Sequence, residues 1–231
     1  MMNNPKLEGS NIIDCIPQSG ECPLKCQECY YNGGRFYRPL TPQIPTLEEV
    51  KGKIVRVNSG HDSNLEFEKV ITTTRDYPDK YYNTSIPNLR FNAPTMLTIN
   101  GRDTDQTFIH PSDCQGNRDD LMAIRFRVNT WNIPLCMNAA EYWKPTILLL
   151  TDMRYYNREN VKKPEDYEWR KAILNSYFCL KSENLEKILK IFSHYSNVFW
   201  CGNSFNHSHY CRDCRLCEIF YAKAKLRRSK K

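Results

Sequence analysis

Short, almost uninterrupted apolar runs alternate with longer amphipathic stretches along this chain. The clearest apolar runs are TMLTIN at 95–100, LMAIRFRVN at 121–129 and TILLLT at 146–151. Such runs are typical of strands in a parallel sheet, because helices cover both faces of that sheet and neither side of a strand meets water. Further strands are predicted, in chain order, at 11–16, 53–58, 80–85 and 197–200.

Helices are predicted between these strands. The stretch 182–195 starts with Ser182, a residue type favoured at helix N-termini, and repeats apolar residues three and four positions apart. Other helices are predicted at 65–75, 134–143 and 167–178. The alternation of strands and helices predicts an α/β fold, either an open wound sheet or an incomplete barrel. In both folds, ligands bind at the carboxyl ends of the strands.

The length of 231 residues and an apolar fraction of 40% suit one compact domain with a small appendage. We place the α/β domain at 1–200 and a cysteine-rich segment with a basic tail at 201–231. No apolar run is long enough to cross a membrane, and the first residues lack the order of charged, apolar and small residues that marks a signal peptide. We therefore expect a soluble, cytoplasmic protein without a membrane partner.

The formal charge of +7 is concentrated at the carboxyl end. Residues 221–231 carry six Lys or Arg and no acid, whereas the other 220 residues carry 27 basic and 26 acidic side chains. We expect this tail to be a solvated, frayed terminus. The alternative is a weak attraction to the phosphates of a nucleic acid or a nucleotide-bearing partner.

The eleven cysteines are both numerous and odd in number, which fits poorly with a secreted disulfide framework. Four of them lie between Cys15 and Cys29, and four between Cys201 and Cys217. Such clustering in a reducing compartment favours metal ligation.

The first cysteine group is the segment CPLKCQEC, which follows the first predicted strand. Its cysteines, Cys22, Cys26 and Cys29, are separated by three and then two residues. A short irregular loop with this spacing can bring three thiolates to separate irons of a cubane and leave the fourth iron without a protein ligand. The alternative is a zinc site, although zinc loops usually present paired CxxC ligands.

This segment resembles the CxxxCxxC signature of the radical S-adenosylmethionine (SAM) superfamily. The resemblance implies an incomplete parallel β/α barrel, a [4Fe-4S] cluster on the three cysteines, and SAM bound to the fourth iron. It also implies an electron donor such as flavodoxin or ferredoxin, and a 5'-deoxyadenosyl radical that removes a hydrogen atom from the substrate. The family usually has an aromatic residue just before the third cysteine. Here Glu28 occupies that position, and Tyr30 is the candidate substitute for packing against adenine.

Four further residues match the family's SAM contacts by position. Ser59 and Gly60 follow the second strand, where the family places a glycine-rich turn that binds the SAM amino group. Asn100 and Arg125 lie at later strand positions resembling those that contact the ribose and the carboxylate of SAM, and an Arg fork suits a carboxylate. The alternative is that these are ordinary polar residues at strand ends.

The second cysteine group has the CxxCxxC spacing of ferredoxin-type clusters. It consists of Cys211, Cys214 and Cys217, with Cys201 as the predicted fourth ligand. It resembles the auxiliary cluster segments of several radical SAM branches. Structural zinc, completed by one of the two histidines within 202–210, and thiols without a metal are the alternatives.

These observations predict a radical SAM enzyme whose substrate the sequence does not identify. A barrel this short leaves a wide mouth, which suits a large substrate, and the basic tail favours one that bears phosphate. Two rival functions stay open. One is a non-catalytic zinc-binding module that contacts nucleic acid, and the other is an iron–sulfur electron-transfer protein that does not use SAM.

Overall fold

The computed structural model describes residues 4–24, 41–99, 110–143, 148–152, 154–155, 165–170, 177–201 and 210–230. In chain order, the strands in these ranges are β1 (Ile12–Cys15), β2 (Ile54–Val57), β3 (Lys80–Thr84), β4 (Asn88–Leu89), β5 (Thr95–Ile99), β6 (Gln115–Gly116), β7 (Leu121–Val128), β8 (Leu148–Asp152), β9 (Arg154–Tyr155), β10 (Tyr167–Arg170), β11 (Tyr177–Leu180) and β12 (Val198–Trp200). The α-helices are α1 (Phe67–Thr74), α2 (Ile133–Tyr142), α3 (Ser182–Phe192), α4 (Cys211–Cys214) and α5 (Leu216–Ser229). Short 3₁₀ helices lie at Pro5–Leu7, Pro111–Asp113 and Arg118–Asp120.

The main sheet contains seven strands in the order β1-β2-β3-β5-β7-β8-β12, and every neighbouring pair is parallel. This arrangement confirms the predicted α/β class with a parallel sheet. Because all these pairs are parallel, the carboxyl ends of the seven strands lie along one edge of the sheet, where ligands bind in folds of this class. The incomplete barrel further requires the two outer strands to curve toward each other, and it stays a prediction.

The prediction of a helix at 167–178 is wrong. Strands β10 and β11 pair antiparallel in this region, with Tyr167 opposite Leu180, and β9 joins them in a small sheet. The alternation of aromatic and polar residues in Tyr167-Glu168-Trp169-Arg170 has the period of a strand, and this pattern agrees with the observed structure.

The two faces of the main sheet bury different sets of side chains. On one face, Val55 and Tyr82 pack with Val70 of α1, and farther along the sheet Ile124 packs with the buried sides of α2 and α3. On the opposite face, Tyr81, Met96 and Ala123 pack against α5, and this side is called the α5 face below. Because successive residues of a strand point to opposite sides, Tyr81 and Tyr82 belong to different cores.

The expectation of a frayed basic tail is also wrong, because the tail forms α5 and packs against the sheet. Its apolar stripe is buried, with Phe220 only 1% exposed. Three basic side chains bind groups at the amino ends of strands. Lys225 Nζ lies 2.6 Å from Asp79, Arg227 donates to the Leu121 carbonyl at 2.6 Å, and Arg228 pairs with the buried Asp120. The burial of the apolar stripe and these contacts hold the helix to the body of the protein.

Strand β1 contributes a buried thiol on the face opposite α5. Burial raises the pKa of Cys15 to about 12, while a hydrogen bond with Tyr77 lowers it and the nearby Asp14 raises it.

None of the described helices is both long and apolar enough to span a bilayer.

The stability of the protein should therefore depend on Cys15 at alkaline pH. Between about pH 9 and 12, the unfolded chain loses the Cys15 proton while the folded chain keeps it, so the free energy of unfolding falls by up to about 1.4 kcal/mol per pH unit. In Cys15→Ala this contribution is absent. Denaturant unfolding in reducing buffer should show the wild-type and variant values converging as pH rises above 9. Parallel curves for the two proteins would contradict this assignment.

Candidate functional site

Cys22 lies in the loop that follows β1, at the carboxyl-end edge of the main sheet. The loop turns at Gly20, whose φ of 78° lies in the left-handed region that glycine adopts without steric cost. Gln18 Nε2 donates to the carbonyl of Asp62 at 3.2 Å, and His61 Nε2 lies 3.1 Å from the carbonyl of Gly20. These contacts fasten the cysteine loop to the turn that follows β2.

The turn after β2 contains Ser59 and Gly60, which were predicted to approach SAM. Ser59 is buried and Gly60 is half-buried. The left-handed residue of this turn is Asn58, with φ of 62°, and asparagine tolerates this conformation better than most residues. The amide N–H of Asn58 donates to the Cys15 carbonyl at 2.8 Å, and its Nδ2 donates to Ser63 Oγ at 3.1 Å. The backbone of this turn is therefore held directly beside the end of β1.

Asp62 joins this turn to the end of β3. Its Oδ1 accepts hydrogen bonds from the Asn64 amide at 2.9 Å and from Thr84 Oγ1 at 2.8 Å. Its Oδ2 accepts from the amide and the hydroxyl of Ser85, at 2.6 and 2.9 Å. Because the carboxylate is buried and bound by four donors, it holds the loops after β2 and β3 together.

Four buried heteroatoms along this edge have no hydrogen-bond partner within the described residues. They are Gln18 Oε1, Asn58 Oδ1, His61 Nδ1 and Asn83 Oδ1. Buried polar atoms are normally paired, so a group of unpaired ones indicates that a ligand or water completes them. Three of the four are amide oxygens, which only accept hydrogen bonds. They therefore suit a ligand that donates, such as an ammonium group.

The structure brings together only part of the predicted SAM and cluster site. Cys22, Ser59 and Gly60 lie along the same edge of the sheet. Four other predicted residues fall outside the described residues, namely Cys26, Cys29, Tyr30 and Asn100. Arg125 is described, and it lies on β7 with its neighbours on the α5 face.

The carboxyl-terminal cysteines gather on the α5 face. Cys201 directly follows β12. Helix α4 begins at Cys211 and ends at Cys214, and Cys217 lies in the first turn of α5. Cys201, Cys211 and Cys217 are free thiols. Burial raises the pKa of Cys217 to about 11, and the neighbouring Cys201 also raises it, whereas Arg125 lowers it. The pKa of Cys211 is also raised, mainly by burial.

These thiols lie near one another, but nearness alone does not make a coordination site. Within the part of the chain that the structure describes, no group of three or more His, Cys, Asp or Glu side chains has an arrangement that could hold a metal ion. The two histidines that could complete a mixed site lie within 202–209, outside the described residues. The second metal site therefore stays a prediction.

Two arginines and a tyrosine line the sheet beside these thiols. Arg56 makes a two-point contact with Asp14, at 2.6 Å from Nε and 3.0 Å from Nη2. Arg125 faces Cys201, Cys217, Tyr81 and Arg56, and its Nε is shielded from solvent without a hydrogen-bond partner among the described residues. The pKa of Tyr81 is raised well above its ordinary value, chiefly by burial.

Comparisons with known proteins give remote likenesses only. The sequence matches no model of a known protein family. No curated protein matches it either. The fold is similar to a spore photoproduct lyase variant with a bound dinucleoside spore photoproduct, at TM-score 0.45 and 12% identity over 80% of this chain and 75% of that one. It is also similar to a variant of the same enzyme with bound AdoMet and the dinucleoside, at TM-score 0.44 and 10% identity over 82% and 81%. At such low TM-scores and identities, the similarity does not show that this chain shares the chemistry of those proteins.

Sequence reasoning missed Asn83 and Gln18 as residues of this edge. Asn83 lies two positions beyond Tyr81 in β3, so it points to the same face at the carboxyl end of the strand. The signal available in the sequence was the amide side chain of Asn83 within a predicted strand. Gln18 carried no such signal, because only the fold places its loop against the turn after β2.

Proposed function

We propose that this chain is a radical SAM enzyme. Cys22, Cys26 and Cys29 hold a [4Fe-4S] cluster, and the carboxyl-end edge of β1, β2 and β3 binds SAM. When bound, these cofactors supply reductive cleavage of SAM and hydrogen-atom abstraction from a substrate. The proposal rests on the CxxxCxxC motif and on the chain's own geometry around Cys22.

The observation that carries the proposal is the contact between the Cys22 loop and the turn after β2. His61 and Gln18 fasten these two segments to each other. The same edge holds buried amide oxygens on Asn58 and Asn83 that have no hydrogen-bond partner among the residues that the structure describes. A cysteine loop therefore stands directly beside acceptors that suit the ammonium group of an amino acid such as the methionine part of SAM.

Each residue of this edge has a defined task in the proposal. Asn58 and Asn83 accept hydrogen bonds from the SAM ammonium group. Asp62 acts indirectly, since its four hydrogen bonds fix the backbone on which Asn58 and Asn83 stand. The buried setting strengthens these hydrogen bonds, because water does not compete for the same donors.

Anaerobic purification and reconstitution test the proposed function. We expect iron and acid-labile sulfide in the protein, and release of 5'-deoxyadenosine when the reduced protein is incubated with SAM. A zinc protein without sulfide would instead support the non-catalytic zinc module. A cluster that releases no 5'-deoxyadenosine would support the electron-transfer protein, and either result would refute the enzyme.

A substitution at Asn83 tests the SAM contact directly. Asn83→Ala removes an acceptor for a charged donor, which is worth about 1.5–3 kcal/mol. We therefore expect the dissociation constant for SAM, measured by equilibrium dialysis on the reconstituted protein, to rise by roughly 10- to 100-fold.

The matched control for this substitution is Asn197→Ala. In both residues, Nδ2 donates to a backbone carbonyl at 2.9 Å and Oδ1 is buried without a partner among the described residues. Asn197 precedes β12, at the opposite end of the strands. Both variants lose comparable internal bonds, so an equal effect on SAM binding would show general destabilisation and contradict a contact at Asn83.

A further inference from the structure

Polar side chains form a layer across the α5 face of the main sheet. On five neighbouring strands, an apolar or aromatic residue of this face is followed, two positions nearer the carboxyl end, by a polar residue. The polar residues, called the polar layer below, are Asp14 on β1, Arg56 on β2, Asn83 on β3, Thr98 on β5 and Arg125 on β7. A parallel sheet covered on both faces is normally apolar throughout, so this layer indicates contact with a ligand or with water.

The polar layer is open to solvent between β5 and β7. Thr98 is the one residue of β5 that is not buried, and Arg125 is the one residue of β7 that is not buried. These two residues are partners in the parallel ladder, so they lie side by side on strands about 4.8 Å apart. A hydroxyl and a guanidinium, both hydrogen-bond donors, therefore stand together where a ligand can reach the sheet.

Arg125 is the charge of the polar layer that has no opposite charge within the layer. Asp14 and Arg56 offset each other, since the guanidinium contacts the carboxylate at two points, 2.6 and 3.0 Å long. The described titratable groups that face Arg125 include no carboxylate; they are Cys201, Cys217, Tyr81 and Arg56. An arginine fork matches the geometry of an oxyanion, which would also supply the missing negative charge.

The strand order separates this opening from the proposed SAM contacts. Asn58 and Asn83, which accept the SAM ammonium group in the proposed function, stand at the ends of β2 and β3. Strand β5 lies between β3 and β7, so β7 is about 10 Å from β3 along the sheet. The ammonium and carboxylate groups of SAM share one carbon atom, so both stay at the β2–β3 part of the edge. The opening at Arg125 is therefore left for a second ligand.

We propose that Thr98 and Arg125 bind an oxyanion of the substrate, a phosphate or a carboxylate group, while SAM occupies the β2–β3 part of the edge. The guanidinium donates charge-assisted hydrogen bonds to the anion, and the Thr98 hydroxyl donates another. This inference rests on the proposed function, and it names the substrate as an anion held beside the reacting part of SAM.

Titration of the full chain with two probe anions, inorganic phosphate and acetate, tests this site by isothermal calorimetry. The anion that binds more tightly shows which oxyanion the site takes. We expect Arg125→Gln to weaken that binding by roughly 10- to 100-fold, because hydrogen bonds to a charged group are lost. Thr98→Val keeps the shape of the side chain but loses the hydroxyl, and should weaken the binding by roughly 2- to 10-fold.

The matched control is Arg75→Gln, which removes an exposed arginine at the end of α1 and should leave the binding of both anions unchanged. If neither anion binds, or if Arg125→Gln binds them as the wild type does, the wild-type signal reports an adventitious ion only and the proposal is overturned. The titration needs neither the iron cluster nor SAM cleavage, so its failure is distinguishable from failure of the proposed enzyme.

Measurements with SAM decide between the substrate and SAM itself as the source of the oxyanion. On the reconstituted protein, Arg125→Gln should leave the dissociation constant for SAM within about twofold. Saturation with SAM should leave the affinity for the probe anion unchanged. Loss of SAM affinity by roughly 10-fold or more in Arg125→Gln, or competition between SAM and the probe, would assign Arg125 to the SAM carboxylate and refute the proposed substrate site.

Discussion

Cys22→Ala and Cys26→Ala are expected to reduce the release of 5'-deoxyadenosine from SAM to the level seen without protein. A cubane held by three local thiolates loses a third of its protein ligands with either change. Iron and sulfide analysis of each reconstituted variant should show the corresponding loss of the cluster.

Cys114→Ala is the matched control for these substitutions. Cys114 is a half-buried free thiol outside both cysteine groups, so its variant should keep the cluster and the cleavage of SAM. Cys214→Ala, in the second group, should keep some SAM cleavage without productive turnover. Equal loss from Cys26→Ala and Cys214→Ala would refute the division of tasks between the two cysteine groups.

Phe220→Ala should be among the most destabilising single substitutions in the chain. Phe220 is 1% exposed, and its ring packs edge-on against Phe199 of β12 with centroids 5.5 Å apart. Truncation of a buried phenylalanine leaves a cavity and costs about 3–5 kcal/mol of unfolding free energy. Since small proteins are stable by only about 5–15 kcal/mol, denaturant unfolding should show a large loss.

The neighbouring residue of the same helix provides the control. Ile219 is 45% exposed, and Ile219→Ala should change the free energy of unfolding by no more than about 0.5 kcal/mol. Similar losses from both substitutions would mean that α5 does not bury its stripe as described. A loss confined to Phe220→Ala would show that the carboxyl-terminal helix is part of the main core.

Strands were predictable where the sequence contains a continuous run of apolar residues. The runs at 95–100 and 121–129 became β5 and β7 with bounds shifted by one residue, because continuous apolar residues are stable only between two covered faces. The region 167–178 was predicted as a helix, whereas its first four residues form β10. The alternation of aromatic and polar side chains that marks this strand extends over only four positions, which is a short signal.

The basic tail shows the limit of reading charge along a chain. Its six cationic side chains suggested a solvated end. Three of them, however, bind Asp79, Asp120 and the carbonyl of Leu121. These partners lie about a hundred or more residues earlier in the chain. No local pattern could therefore have paired them with the tail.

The sequence by itself determined the α/β class, the two cysteine groups and the position of the first group just after the first strand. These features are local, since strand period and ligand spacing are properties of a few consecutive residues. The tertiary structure alone decided that Gln18, Asn58 and Asn83 share one edge with Cys22, and that Arg125 faces the carboxyl-terminal thiols. Such neighbourhoods arise from strand register and helix packing, which join residues far apart in the chain.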